Sequence, residues 1–264
     1  MTVFKITFDS NTWRKVATPD NFPKDPIIED YKTIRMAINN GQIIPFISET
    51  VFTLEAIQKK NRKQFFKDYK AVITTDISED EKGYVNMQFQ IGPNKNAHSG
   101  NNEFLKEHFA DAVKLGFNII HLPRIAGITN KDIEASLYRM DNETLGKYLD
   151  KVFEVGRRIT ELEAGDYEIQ QIGLKYNSQS GFQGIGDAPN SENGVIAKAV
   201  AEWADGDSVA SHIAIGGDYF CTNDKAVSGG AKSVFTEKNL AILRNEYGFK
   251  TISPTDLSNL LKTN

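Results

Sequence analysis

The sequence predicts an α/β protein: a three-layer α/β/α arrangement around a mainly parallel central sheet, with a large mixed α+β insertion. Three observations predict it. Apolar strand segments alternate with helical patterns over residues 1–58, and such alternation builds parallel sheets. The same alternation returns over 193–264. Between them, residues 59–192 carry a hairpin pattern, long helical stretches and a Gly/Asn/Ser-rich loop. The two ends are therefore expected to form one discontinuous domain, with 59–192 inserted into it.

Val3 to Phe8 is rich in β-branched and aromatic residues and reads as the first strand. TPDNFPKDP (18–26) is polar and proline-punctuated, and Pro26 suits the first turn of a helix. Ile27, Ile28, Tyr31, Ile34 and Ile38 share one helical face, and Asn39, Asn40 and Gly41 stop that helix. Trp13 is expected to pack beneath it. IIPFIS (43–48) is the second strand. Ser48 is placed to cap a helix running through SETVFTLEAIQKK.

The middle begins with AVITTDIS (71–78) and YVNMQFQI (84–91), two strand patterns joined by EDEKG and hence a hairpin. NNEFLKEHFADAVKLG (101–116) is an amphipathic helix ended by Gly116, and FNIIHL is a short strand or a buried extension. Thr129 to Ala164 is helical, divided near Asp141. SQSGFQGIGDAPNSENG (178–194) reads as a linker or flap. Gly194 to Trp203 and Ser208 to Ile215 read as two helices, followed by the strand DYFCT (218–222). TEKNLAILRNEYG is a helix stopped at Gly248, FKTIS is a strand, and Pro254 opens a final helix.

Composition excludes several classes. The 264 residues are 40% hydrophobic and 25% charged, as in ordinary globular proteins. No run of eighteen apolar residues predicts a membrane span, and the N-terminus lacks a leader pattern. One cysteine, Cys221, rules out an internal disulfide framework and a Cys-cluster zinc site, so a cytoplasmic setting is expected. The net charge of −4 speaks against general coating of nucleic acid, though not against a local site.

The acids carry the chemistry. Asp9 directly follows Phe8, and Asp224 follows Thr222 and Asn223 at the end of another strand. In open parallel sheets, ligands bind outside the carboxyl ends of strands, where strand order reverses. Glu55 lies beyond the second strand, with Glu49 before it, and Asp205 and Asp207 precede SVASHIAIGG. Read singly, Asp9 is an Asx-turn, Asp205 or Asp207 an N-cap and Glu55 a solvated helix face. Read jointly, they can converge.

Asp9-Ser10-Asn11 at a strand end, then FISETVFTLEAI, then ADGDSVASHIAIGGDYFCTNDKA and the closing YGFKTISPTDL resemble, in order and spacing, the PIN domain family of metal-dependent ribonucleases. The resemblance covers the two ends, about half of the chain. It implies a PIN-like fold and a catalytic set of Asp9, Glu55, Asp205 and Asp224. Glu49 is the fallback for Glu55, and Asp207 an additional metal ligand. Ser10, Asn11, Thr222 and Asn223 are implied to orient carboxylates, water or phosphate. An all-oxygen set favours Mg²⁺ or Mn²⁺. The implied reaction is RNA phosphodiester hydrolysis leaving a 5′-phosphate and a 3′-hydroxyl. The family includes homodimers and toxins held by an inhibitory protein, so both are implied partners besides RNA. The departure is the spacing of about 150 residues between Glu55 and Asp205. Two other readings stay open: a catalytically degenerate module that binds RNA or protein, and a metal-dependent nuclease acting on DNA.

KKNRKQFFKDYK (59–70) holds six bases to one acid, interleaved with Phe65, Phe66 and Tyr69. Lys59, Lys60, Arg62 and Lys63 are thereby expected to contact RNA by charge, with the aromatics stacking on bases. The competing reading is a solvated helix with its aromatics turned to the core. Arg157 and Arg158 read as an exposed helix face. The histidines show no ligand spacing, and His212 reads as a satisfied core residue. GFQGIGDA is neither a phosphate loop nor a dinucleotide fingerprint.

Overall fold

The computed structural model describes residues 2–69, 72–92, 103–122, 136–177, 181–224 and 232–263. Five strands form one sheet: β1 (Phe4–Phe8), β2 (Ile43–Ser48), β5 (Asn118–Ile120), β6 (Tyr219–Cys221) and β7 (Thr251–Ile252). Their order is β5-β2-β1-β6-β7, and every pairing is parallel. The remaining strands, β3 (Val72–Glu79) and β4 (Val85–Gly92), pair only with each other, antiparallel, as the expected hairpin.

Alternation along the strands sends side chains to two faces. Ile6, Phe8, Ile43, Ile47 and Ile119 bury one face. Packed there are α1 (Trp13–Ala17), α2 (Ile28–Asn39), α4 (Glu103–Lys114) and α10 (Pro254–Thr263), through Trp13, Tyr31, Ile34, Phe109 and Leu257. Phe46, Ile120 and Phe220 bury the other face. There α5 (Asn142–Glu161), α8 (Asn193–Ala214) and α9 (Glu237–Tyr247) contribute Val152, Val155, Ile159, Val209 and Leu243. Helices thus cover both faces of a mainly parallel sheet. No described helix is long and apolar enough to cross a membrane.

Residues 59–192 are not a unit apart. β5, α4 and α5 belong to the sheet and its covering layers. Another part, α3 (Arg62–Asp68), α6 (Tyr167–Tyr176) and α7 (Gly181–Asp187), packs on α8 around Leu54, Ile57, Phe65, Phe66, Ile169 and Trp203. The expected loop at 178–194 therefore holds α7 and a 3₁₀ turn at Asn190–Glu192, while 178–180 lie outside the described residues. The hairpin stands exposed, with Ile73, Ile77, Val85 and Met87 open to solvent.

Two expected elements differ. The helix expected from Ser48 is a 3₁₀ turn, Glu49–Val51, followed by turns that carry Glu55. Side-chain bonds tighten the turn: Ser48 accepts from the Thr50 amide, and the Thr50 hydroxyl is tied to Ser48 and, across the fold, to Ser208 at 2.9 and 3.0 Å. The two helices expected at 194–203 and 208–215 are one, α8, running unbroken through Asp205-Gly206-Asp207. Glycine inside a helix costs about 1 kcal/mol relative to alanine. Here close approach outweighs it: a Cβ on Gly206 would stand 2.7 Å from the Gly165 Cα. Gly165 itself has φ +62°, so the turn after α5 reaches α8 because both positions lack a side chain. Thr129–Ala164 resolves into α5, with Asp141 capping the Thr144 amide at 2.7 Å, while 123–135 lie outside the described residues.

Candidate active site: an acidic cleft at the strand ends

The strand order reverses at β1, with β2 on one side and β6 on the other. Register pairs Phe8 with Cys221, so the next residues of both strands emerge side by side. The Asp9 amide continues the ladder by donating to the Cys221 carbonyl at 3.0 Å. This is the crevice position where open α/β sheets bind ligands.

Asp9 is buried and held from three directions. Its Oδ1 accepts from the Ser10 amide at 2.6 Å. Its Oδ2 accepts from Asn11 Nδ2 at 2.7 Å and from the Thr222 hydroxyl at 2.6 Å. The Thr222 oxygen in turn accepts from the Asp224 amide at 2.9 Å. Asn11 Oδ1 accepts from the Asn223 amide at 3.2 Å, and Asn223 Nδ2 donates to the Tyr31 hydroxyl at 2.8 Å. Asp9-Ser10-Asn11 and Thr222-Asn223-Asp224 are thus one interlocked structure. Trp13, fully buried, packs against Phe52 just behind it, their rings 6.0 Å apart.

Asp205 is carried by α8. Hydroxyls seat that helix on the end of β2: Thr50 with Ser208 at 3.0 Å, and Ser211 with Ser48 at 3.4 Å. Glu55 approaches from the turns beyond β2, its amide donating to the Thr50 carbonyl at 3.0 Å.

Electrostatics shows which acids act on one another. Burial raises Asp9 above the usual carboxylate range, and the charge of Asp224 adds to the rise, against the hydrogen bonds from Thr222 and Ser10. Burial, then the charge of Asp9, pushes Glu55 up to about 7, with the Ser10 hydroxyl, Arg62 and Arg14 opposing. Asp205 rises well above its ordinary value through burial and then the charges of Asp9, Glu55, Glu202 and Asp224. The structure therefore brings Asp9, Glu55, Asp205 and Asp224 into one field.

Glu202 belongs to it too and was not foreseen. Burial pushes it to about 7, while the Val234 amide donates to its Oε1 at 2.6 Å. It precedes Asp205 by three residues, on the same face of α8. The signal lay in the sequence as Glu-x-x-Asp, hidden by the expected break between two helices.

Other expected residues go elsewhere. Glu49 is buried and engaged at β5, accepting from the Leu122 amide at 2.5 Å, with His121 Nδ1 2.8 Å away. It anchors the end of β5. Asp207 is also buried, about 200° around α8 from Asp205. Its charge is not among the principal ones acting on Asp9, Glu55 or Asp205.

The expected basic stretch is largely structural. Arg62 is 5% exposed and donates to the Ile57 carbonyl at 3.1 Å and to the Ala197 carbonyl. Lys63 donates to Asn190 Oδ1 at 3.0 Å. Phe65 and Phe66 are core residues, Phe66 stacking on Trp203. Burial of the apolar face outweighs an exposed aromatic ladder. Lys59 and Lys60 alone of the four expected contacts are exposed, and Lys70 lies outside the described residues. His212 is a core residue, its Nδ1 2.7 Å from the Thr7 hydroxyl.

Carboxylates, hydroxyls and amides make an all-oxygen donor set, which suits Mg²⁺ or Mn²⁺. Gathered negative charge, with Arg14 and Arg62 as the cations acting on Glu55, suits a bound cation. As placed, no three His, Cys, Asp or Glu side chains among the described residues stand at metal-holding spacing. Comparison with protein-family models, with curated proteins and with solved structures returns no match.

Proposed function

We propose that this protein is a metal-dependent ribonuclease with a PIN-like fold. One observation carries the reading: Asp9 and Asp224 are joined through Thr222 at adjacent strand ends, where strand order reverses, inside the field of Glu55 and Asp205. Asp9 and Asp224 would hold Mg²⁺ or Mn²⁺, with Glu55 and Asp205 completing the set and Asp207 left to packing. The cation would supply Lewis-acid stabilisation of the phosphate and a nucleophile at neutral pH. The chain itself does the positioning. Thr222, Asn11 and the Ser10 amide fix the Asp9 carboxylate, so little reorganisation is needed when substrate enters. Asn223, exposed and bonded to Tyr31, would meet a phosphate oxygen or the ribose in this reading. Lys59 and Lys60 offer positive charge to the strand beyond. The products are a 5′-phosphate and a 3′-hydroxyl. A cytoplasmic setting, a homodimer and an inhibitory protein partner belong to the same reading.

The test is cleavage of labelled single-stranded RNA with Mn²⁺, with EDTA and single-stranded DNA as controls. The wild type cuts RNA and EDTA stops it. Asp9→Asn and Asp224→Asn each lose about 10²-fold or more in rate while remaining folded. Full activity in folded Asp9→Asn would overturn the site. The spacing of the carboxylates favours one alternative, a degenerate RNA-binding module. Tight binding without cleavage in Mn²⁺ is its outcome, and preference for DNA is that of a DNA-directed nuclease.

A further inference from the structure

We infer that Asn223 reads the ribose: its side-chain oxygen accepts a hydrogen bond from the 2′-hydroxyl of the substrate strand, and Tyr31 holds the amide so that this oxygen faces outward. The inference rests on the ribonuclease reading above and names what one residue of that site recognises.

Printed bonds tie Asn223 to the strand-end acids by way of its neighbours. Thr222 still belongs to the sheet, its amide donating to the Ile252 carbonyl at 3.1 Å, and its hydroxyl turns in to Asp9. One residue on, the Asn223 amide donates to Asn11 Oδ1 at 3.2 Å, and Asn11 Nδ2 donates to Asp9 Oδ2 at 2.7 Å. Asn11 thus bridges the Asn223 backbone to the Asp9 carboxylate. Asn223 itself is exposed.

One end of its side-chain amide is engaged. Nδ2 donates to the Tyr31 hydroxyl at 2.8 Å. Tyr31 is fully buried in α2, and Lys15 Nζ lies 5.6 Å from its ring while bound to Asp25 at 2.7 Å. Packing therefore fixes the partner, and the partner orients the amide. Among the described residues no group donates to Asn223 Oδ1, so the end left for a ligand is an acceptor.

An acceptor needs a donor. Phosphate oxygens are acceptors and gain nothing from it. The sugar of RNA carries a donor, the 2′-hydroxyl, and the sugar of DNA carries none. Bases carry donors too, but these are shared by RNA and DNA, so only the sugar contact separates the two strands. The opposite arrangement, with the amide turned over and Nδ2 outward, would serve a phosphate and read nothing at the sugar.

The experiment uses the full chain and one single-stranded sequence made as RNA and as 2′-fluoro RNA, which keeps bases and phosphates and lacks the 2′ donor. kcat/KM is measured on both strands in Mn²⁺, and affinity by anisotropy in Ca²⁺. Both strands meet the same protein sample, so their ratio does not depend on how much of it is folded. Wild type should favour RNA by about three- to tenfold, the worth of one hydrogen bond. Asn223→Ala should bring the ratio to about 1. Tyr31→Phe frees the amide to turn, and the ratio should fall about twofold or more, whereas a merely structural Tyr31 would slow both strands alike. Equal rates on both strands in wild type, or full preference in Asn223→Ala, would overturn the inference while RNA cleavage, and with it the ribonuclease reading, stands. An unchanged ratio in Tyr31→Phe would overturn the positioning by Tyr31. Wild-type protein that binds RNA without cutting it sinks the ribonuclease reading, and the affinity ratio of the same two strands then decides Asn223. Wild-type protein that neither cuts nor binds RNA overturns both.

Discussion

Thr222 Oγ1 donates to Asp9 Oδ2 at 2.6 Å, joining residues 213 apart in the chain across two neighbouring strand ends. The same oxygen accepts from the Asp224 amide at 2.9 Å, so one hydroxyl ties both strand-end acids into a single frame. Parallel pairing of β1 with β6 makes the contact; no local property of either segment would.

Thr222→Val keeps the shape and removes the hydroxyl. Asp9 then loses a donor while buried, which costs about 1–3 kcal/mol. RNA cleavage should fall by more than the stability loss explains, about tenfold or more. Thr222→Ser should restore both. Urea melts paired with cleavage rates check this, and equal behaviour of Val and Ser would remove Thr222 from the frame.

Glu49 and Glu55 should separate cleanly. Glu49→Ala leaves the Leu122 amide without its acceptor and should destabilise the fold by about 1–3 kcal/mol, with cleavage per folded molecule retained. Glu55→Gln should do the reverse: an intact fold and little cleavage. Denaturation curves and rates at matched folded fraction distinguish them.

The raised Glu55 gives a pH signature in EDTA. Its pKa is about 7 in the folded protein against an ordinary value of 4.5, so folding favours its protonated form. Its contribution to stability is present below about pH 4.5 and is lost as pH rises through 7. Glu55→Gln should therefore melt higher than wild type at pH 8, and the gap should narrow steadily toward pH 5 and close below about pH 4.5. Calorimetry at both pH values tests the sign. A gap that widens on acidification would contradict the burial of this carboxylate.

Gly206→Ala tests the contact between α8 and the Gly165 turn. Helix propensity alone predicts a gain of about 1 kcal/mol. The 2.7 Å approach to the Gly165 Cα predicts the opposite, a net loss of about 1–3 kcal/mol, because backbone must move. Asp205 sits beside that position, so cleavage should fall as well. A stabilised Gly206→Ala protein would mean that the two segments are further apart.

Much was legible before any coordinates. Strand β1, helix α2, strand β2 and the hairpin follow from periodicity and stop residues, because their side-chain patterns are satisfied by neighbours close in sequence or by simple alternation. Asp9 and Asp224 were legible as strand-end acids. Glu202 was not, because an Asp-Gly-Asp sequence reads as a helix break, whereas α8 runs through it and the Gly165 turn packs against Gly206. Arg62 was misread for a related reason. A charge run looks solvated in one dimension, while its guanidinium here finds carbonyls of two separate segments.

The sequence by itself determined the α/β class, the discontinuous acids and the chemistry open to an all-oxygen set, since these depend on residue type and local period. The tertiary structure decided which acids share a field. Glu55 and Asp205 are among the acids that act most strongly there, Glu49 instead holds the Leu122 amide, and Glu202 joins from the turn of α8 before Asp205. Each choice turns on the direction of a side chain from a turn or a helix face. That direction is set by long-range contacts: the Thr50–Ser208 hydroxyls, the Leu122 amide and the meeting of two glycines.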